Sequence, residues 1–319
     1  MGRYLLRRLI LMLPTVVIVT FLVFLLLFLS PGDPVLLLVP IDEVNQLTDE
    51  EMDRLRSKLG LDRPVYAQYA DWLLDVLRGD LGRSIHQRRP VLDLLAARFP
   101  VTLELALLSV LVASVVAIPI GIYTAIRPGS IGDFLGNIVA LMGVSAPNFW
   151  VALILIVVFA VHLRWLPAGG FVRITDDPIG HIERLILPVI TLSTALMAVT
   201  MRLTRSSMLE VLNEDYVRTA RSKGLAQRRI VFVHALKNAL IPVVTTVGMQ
   251  IGRILGGTIV IELIFSFPGM GKLMLDAIFG RDFPIVQGSV LLITLAFMAI
   301  NLVVDLTYAI IDPRIRYGA

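Results

Sequence analysis

Six apolar runs constrain this chain more than any other feature, because crossing ~30 Å of hydrocarbon takes about 20 consecutive apolar residues in a helix. The runs cover residues 9–29, 101–126, 137–161, 185–201, 239–263 and 285–311. The expectation is an all-α integral membrane protein with six transmembrane helices. The run at 185–201 is the weakest, being the shortest and containing Pro188. The first run follows Arg3, Arg7 and Arg8, but it is too long for a signal peptide. Leu29-Ser30-Pro31-Gly32-Asp33-Pro34 also offers no small-residue cleavage site, so residues 1–29 are read as an N-terminus and a retained span.

Composition agrees: 56% of the 319 residues are hydrophobic and only 17% are charged, where a soluble domain carries about 25% charged residues. A net charge of +4 and a pI near 9.6 would point to nucleic acid only if the basic residues formed one solvated patch. Instead they follow the loops. Segments 1–8, 127–136, 202–238 and 312–319 hold 14 Lys and Arg, whereas 162–184 and 264–284 hold 5. Loop 30–100 is too long to count. Positive charge gathers on the cytoplasmic side of membrane proteins, so both termini are expected in the cytoplasm and no nucleic-acid partner is expected.

Two excursions are longer than a connector needs. The extracytoplasmic loop 30–100 has helical patterning at 48–59 and 65–77, a capping box at Thr48-Asp49-Glu50-Glu51 and a stop at Gly60, which predict a small folded element. The cytoplasmic loop 202–238 has eight basic and three acidic residues. Asn213 is expected to cap a helix beginning Glu214-Asp215-Tyr216. Gly224 should end that helix in left-handed geometry, and a second helix should start near Gln227 and run into the fifth span.

Reaction chemistry is sparse. Without cysteine the chain has no thiolate metal site or disulfide, and its four histidines, His86, His162, His181 and His234, are scattered, so no metal site is expected. Gly269-Met270-Gly271-Lys272-Leu273 lacks the first glycine and the hydroxyl of a phosphate loop. Gly143-Val144-Ser145-Ala146-Pro147 lacks the last glycine of a nucleophile elbow. The chain is therefore expected to be non-catalytic and to bind no ATP itself.

Ionisable residues within spans are functional candidates by default. Glu104 and Glu262 fall near the outer surface and Asp305 near the inner one, where solvated or snorkelled side chains account for them. Arg253 lies 14 residues into the fifth run, about 21 Å along a helix. Two readings stay open for it: a structural pair with a polar group on a neighbouring helix, or a cation lining a translocation pathway. Asn148, Gln250 and Asn301 are further pathway candidates. Gly248, Gly252 and Gly256 recur every four residues and form a helix-packing stripe, used within the chain or against another subunit. Helices this apolar make a poor conduit alone, which points to a second membrane subunit.

At the level of motif strings, the chain resembles the membrane permeases of ABC importers in their peptide and nickel branch. Of the general cytoplasmic signature of those permeases, only the second alanine (Ala220), the glycine (Gly224) and the leucine (Leu236) are present. The string from Asp215-Tyr216-Val217-Arg218-Thr219-Ala220-Arg221 to His234-Ala235-Leu236-Lys237-Asn238-Ala239-Leu240-Ile241-Pro242 resembles the branch's own form. In order along the chain come Tyr4-Leu5-Leu6-Arg7-Arg8, Pro31-Gly32-Asp33-Pro34, Leu59-Gly60-Leu61-Asp62-Arg63-Pro64 and Gly79-Asp80-Leu81-Gly82. Arg98-Phe99-Pro100-Val101-Thr102-Leu103-Glu104-Leu105, Phe265-Ser266-Phe267-Pro268-Gly269-Met270-Gly271 and Asp312-Pro313-Arg314-Ile315 follow.

The resemblance implies a type I importer permease fold in a bacterial or archaeal plasma membrane, the chain being the first of two related permeases. It also implies a second homologous permease, an extracytoplasmic solute-binding protein, and two cytoplasmic ATP-binding subunits that hold the ATP and Mg. Asp215, Tyr216, Arg218, Thr219, Ala220, Arg221 and Gly224 would then couple to an ATPase and switch access from outside to inside. The solute is left open among dipeptides, longer peptides, glutathione and nickel chelates. Two rival classes are a gradient-driven transporter, expected to show internal repeats and broken midplane helices, and an intramembrane enzyme, expected to hold a nucleophile and base at depth.

Overall fold

The computed structural model describes residues 2–28, 54, 57 and 62–311. Apart from Arg54 and Ser57, which are helical, the helix expected at 48–59 with its capping box and the stop at Gly60, and the motifs at 31–34 and 312–315, lie outside the described residues. Among the described residues the chain is helical and carries no strand beyond an isolated bridge between Arg83 and Pro90. Four helices are long and apolar enough to cross a membrane: Val91–Ile126, Pro178–Leu212, Gln227–Gly257 and Phe283–Thr307. A fifth crossing is available if Ile131–Ser145 and Asn148–His162, bent by 105° at their junction, count as one span. The first helix, Gly2–Phe28, has an apolar stretch at Ile10–Leu25.

The chain divides into two compact units. The first comprises residues 1–100 and 272–296. Here α1 (Gly2–Phe28) receives α2 (Val65–Leu77), the exposed-loop helix whose bounds the sequence pattern predicts. Tyr69 is the anchor: its hydroxyl lies 2.9 Å from Thr20 Oγ1 and donates to Val17 O at 3.1 Å, and its ring meets Phe21 edge-on at 5.2 Å. Gly79 and Gly82, both at positive φ, turn the chain after α2. The following turn is pinned at Ser84, whose hydroxyl donates to Asp282 Oδ2 at 2.5 Å, and at His86, whose Nε2 lies 2.5 Å from Gly280 O.

The second unit comprises residues 101–271 and 297–319. Four more helices are introduced by range: α3 (Val91–Ile126), α4 (Ile131–Ser145), α5 (Asn148–Leu155, continuing as a π-helical stretch to His162) and α6 (Pro178–Leu212). α6 is the central helix. It starts at Asp177, whose carboxylate accepts from Gly180 N at 3.0 Å, with Pro178 at the first helical position where no amide is needed. Where the sequence run spans 185–201, the helix runs for 35 residues through Pro188. Likewise α3 begins ten residues before the apolar run at 101–126 and passes Pro100. Apolar content marks only the part of a helix that lipid or core can cover; the ends are carried by caps and neighbours.

Close approach in the middle of this unit rests on small residues. A Cβ on Gly121 would sit 2.7 Å from Thr204 Cβ, and one on Gly143 would sit 3.0 Å from Thr194 O. Ala117, Ala140, Ala198 and Met201 pack there as one buried cluster. Helices in lipid gain most from such van der Waals fit, since lipid removes the hydrophobic drive between them.

Three expectations are corrected. The run 137–161 is not one straight helix: Ala146 is extended (φ −78, ψ 124) because Pro147 disfavours α geometry in the residue before it, and α5 starts afresh at Asn148. A broken helix, unanticipated from sequence, is therefore present. Asn213 does not begin the cytoplasmic helix; it ends α6, and its amide donates to Leu209 O at 2.9 Å. The run 239–263 is likewise interrupted, at Thr258. α7 (Asp215–Ser222), α8 (Gln227–Gly257, with a π-helical stretch at Ile230–Ala235), α9 (Ile259–Ile264), α10 (Met270–Phe279) and α11 (Phe283–Ile311) complete the chain.

Candidate functional site

The cytoplasmic loop folds into a defined platform. α7 is only eight residues long, too short to be stable alone. It is held by Val217, fully buried, and Ala220, which join Met208, Leu212, Ile122, Ile230, Val231 and Ala235 in one apolar cluster. Gly224, at φ +75, ends α7 as the sequence predicts, and Leu225 N donates to Ala220 O at 3.3 Å, closing the turn before α8 starts at Gln227. Asn238 on α8 donates to the Tyr216 hydroxyl at 2.8 Å, a second tie between the two helices.

The platform has two faces. Asp215, Tyr216, Arg218, Thr219 and Arg221 are exposed, with Gly224 at the corner. Ala220 is not among them: it points into the chain's own cluster at 9% exposure. The sequence pattern places Ala220 with the partner-facing residues. Helical periodicity separates it from them, because residues 217 and 220 share the face that meets α6 and α8.

Close to this platform, α4 is clamped to α6. Ser130 caps α4 by accepting from Asp133 N at 3.2 Å, and Arg205 donates to both Asp133 oxygens, at 2.7 and 2.9 Å. Such a bidentate pair fixes orientation as well as distance. Neither partner stands out from sequence, since both lie in loops beyond the apolar runs and 72 residues apart.

Two carboxylates near the other end of the helices are not simply solvated. Glu262 is fully buried, and its Oε1 accepts from the Thr102 hydroxyl at 2.7 Å and the Thr258 hydroxyl at 2.9 Å. Met270 N donates to Thr102 Oγ1 at 2.8 Å. Gly269 packs so closely on the Glu262 carboxyl that a side chain there would overlap it. The glycines of the Gly269-Met270-Gly271 string thus seat a loop on a buried acid. Glu104, about one-third exposed, accepts from His181 Nε2 at 2.8 Å, and His181 Nδ1 faces Val172 O at 2.7 Å. Snorkelling fails as an account of both, because polar partners arrive from segments distant in sequence.

The pathway candidates do not converge on one site. Gln250 is buried and accepts from the Thr200 hydroxyl at 3.4 Å. Arg253 is exposed on α8, while Asn148 and Asn301 are half-buried. The glycine stripe divides in a similar way. A side chain on Gly248 would overlap Val304, one on Gly252 would place Cβ 2.6 Å from Phe297 Cδ2, and Gly256 is open with nothing within 4 Å. The first two glycines pack against α11 and the third does not. No group of three or more His, Asp and Glu that could hold a metal ion occurs among the described residues.

Apolar helices packed through small residues, with a short helix secured at one end and exposed on its other face, form a membrane-type helical bundle. Residues 117–317 match the family described as binding-protein-dependent transport system inner membrane component, and residues 1–106 match the N-terminal part described for such components. The chain belongs to this family of importer permeases. It is 41% identical over 340 aligned residues to the dipeptide transport system permease protein DppB of Escherichia coli (strain K12), with 99% of each chain covered. It is 40% identical to the oligopeptide transport system permease protein AppB of Bacillus subtilis (strain 168), covering 99% of this chain and 100% of AppB. The inward-facing MetNI methionine ABC transporter shares the fold, at a TM-score of 0.55 and 16% identity over 69% of this chain and 97% of that one.

Proposed function

We propose that the chain is one of two permease subunits of an ATP-driven importer for peptides, alternating access under the control of partner ATPases. The observation that carries this reading is the two-faced platform at Asp215–Ser222: Val217 and Ala220 tie it to the bundle, while Arg218, Thr219 and Arg221 are exposed on the other face, where a partner can reach them. A permease without a phosphate loop takes up ATP energy only mechanically, and a small helix rigidly joined to α6 and α8 supplies the lever. The peptide substrate class comes from the similarity to DppB and AppB, each named for peptide transport.

In this reading the chain spans the membrane six times. α1 and the broken α4–α5 pair join the four long helices, and both termini are cytoplasmic, as the 14 against 5 basic residues in the short loops argue. The region before α3 then faces a solute-binding protein. The partners are a second permease, two ATPases that carry ATP and Mg, the binding protein and lipid; the chain itself binds no cofactor. Reconstitution of the five components in vesicles tests it. Peptide uptake is expected to require internal ATP and external binding protein, and to stop when Arg218 and Arg221 are both changed to Glu. Uptake driven by an ion gradient without ATPases would refute the reading.

A further inference from the structure

Arg253 stands 14 residues beyond residue 239, about 21 Å along α8, and four residues before α8 ends at Gly257, well inside the apolar run 239–263. Its side chain is exposed, and no hydrogen bond or ion pair reaches it among the described residues. It lies on a defined strip of α8 and α9. Met249 and Val260 are 47% and 49% exposed, and between them Gly256 and Gly257 are exposed, with open space where a side chain would go. The flanks and back of the helix, with Gln250, Gly252, Ile254 and Leu255, are buried within the chain.

A guanidinium facing hydrocarbon at this depth is prohibitively costly, so the strip faces an anion or water rather than lipid. We propose that Arg253 is a transient binding site for the carboxylate of the transported peptide, within the membrane-spanning part of the translocation pathway. The inference rests on the peptide-import reading and deepens it by naming the group recognised. Three features favour a passing solute. The planar fork of five donors matches a carboxylate. No second fixed donor among the described residues of the strip completes a tight cage, and a transport site must bind well enough to be entered yet weakly enough to be left. The two glycines keep a full turn beside the guanidinium uncovered, which admits peptides whose neighbouring side chains differ in size.

The test uses the full complex in vesicles with ATP inside. Peptides with a free C-terminal carboxylate are compared with their C-terminal amides, each supplied at a concentration shown separately to saturate the binding protein. Wild type is expected to carry the free acid faster than the amide. Arg253→Gln should cut free-acid flux roughly tenfold and leave amide flux in place, bringing their ratio near one. Arg253→Lys, which keeps the charge but loses the planar fork, should restore part of the preference. Equal slowing of both peptides by Arg253→Gln, or slowing of neither, would overturn the assignment. So would separation of the two permeases on size exclusion, which would mark the carboxylate as a side chain of the second subunit. If wild type carries neither peptide in either form, the peptide-import reading itself has failed, a result distinct from a wild type that transports and an unaltered Arg253→Gln.

Discussion

The two faces of α7 make opposite demands, and substitutions on each should separate stability from coupling. Val217 is fully buried, so Val217→Ala removes two methyl groups from the cluster with Met208, Leu212 and Ile230. At about 0.8 kcal/mol per group the transfer loss is roughly 1.5 kcal/mol, and an unrelaxed cavity brings it to about 2–3. Ala220→Asp places a carboxylate where Ala220 is 9% exposed, at a cost of several kcal/mol unless the helix detaches. An eight-residue helix cannot hold together once detached. Trypsin should then cut at Arg218, Arg221 and Lys223 in Ala220→Asp far faster than in wild type, with hydrogen exchange over 215–229 rising in step. Arg218→Glu with Arg221→Glu should leave exchange at wild-type levels but abolish ATP-driven uptake. The reasoning fails if Ala220→Asp keeps wild-type protection, or if the double charge reversal loosens the helix while transport continues.

Gly224→Val should strain the corner after α7, because Gly224 holds φ +75; the steric cost is about 1–2 kcal/mol, and open space around the Cβ position offers no clash to confuse the result. Uptake should fall while ATPase activity persists, and retained tight coupling would refute a role for the corner. Gly248→Ala should lower the melting temperature of the solubilised permease by forcing Val304 aside, whereas Gly256→Ala should leave it unchanged or slightly raised. Equal effects would mean that α11 does not pack at Gly248. Glu262→Ala strips the acceptor from two buried hydroxyls, costing about 1–3 kcal/mol for each group left unsatisfied. Glu262→Gln keeps an oxygen for both and should lose less, as thermal unfolding can check.

Sequence pattern makes the helices legible where one face or one stop signal dominates. The bounds of α2, the stop at Gly224 and the start of α8 at Gln227 all follow from amphipathic spacing and glycine geometry. Hydropathy fails at helix ends and at breaks. Pro100 and Pro188 read as boundaries or weak points but lie inside α3 and α6, where packed neighbours override local preference. Pro147, within an equally apolar run, does break the helix. What separates these prolines is the tertiary surroundings, which a one-dimensional pattern does not contain. The polar pairs were hidden for a related reason: Thr102 reaches Glu262 across 160 positions and Glu104 reaches His181 across 77, distances at which periodicity carries no information.

The placement of these polar contacts gives the coupling proposal its mechanical basis. Within the second unit, fixed hydrogen-bonded junctions occur toward the ends of the long helices: Asp133 with Arg205 near the platform, and Glu262 with Thr102 and Thr258 toward the other end. Between them, α3, α4 and α6 meet through Ala117, Ala140, Ala198 and Met201. Directional bonds resist sliding, because a short shift breaks them and strands buried polar groups. Small apolar contacts are non-directional and let packed helices shear by about 1–2 Å at modest cost. The Ser193 hydroxyl donates to Ser109 O at 2.9 Å between α6 and α3, so the smooth contact is the one between α4 and α6, along which a push on α7 is relayed without loss of the end geometry. Restraining the middle should therefore block transport more than it affects stability, and the cysteine-free sequence makes a disulfide from α4 to α6 at Ala140 and Ala198 a direct way to apply that restraint.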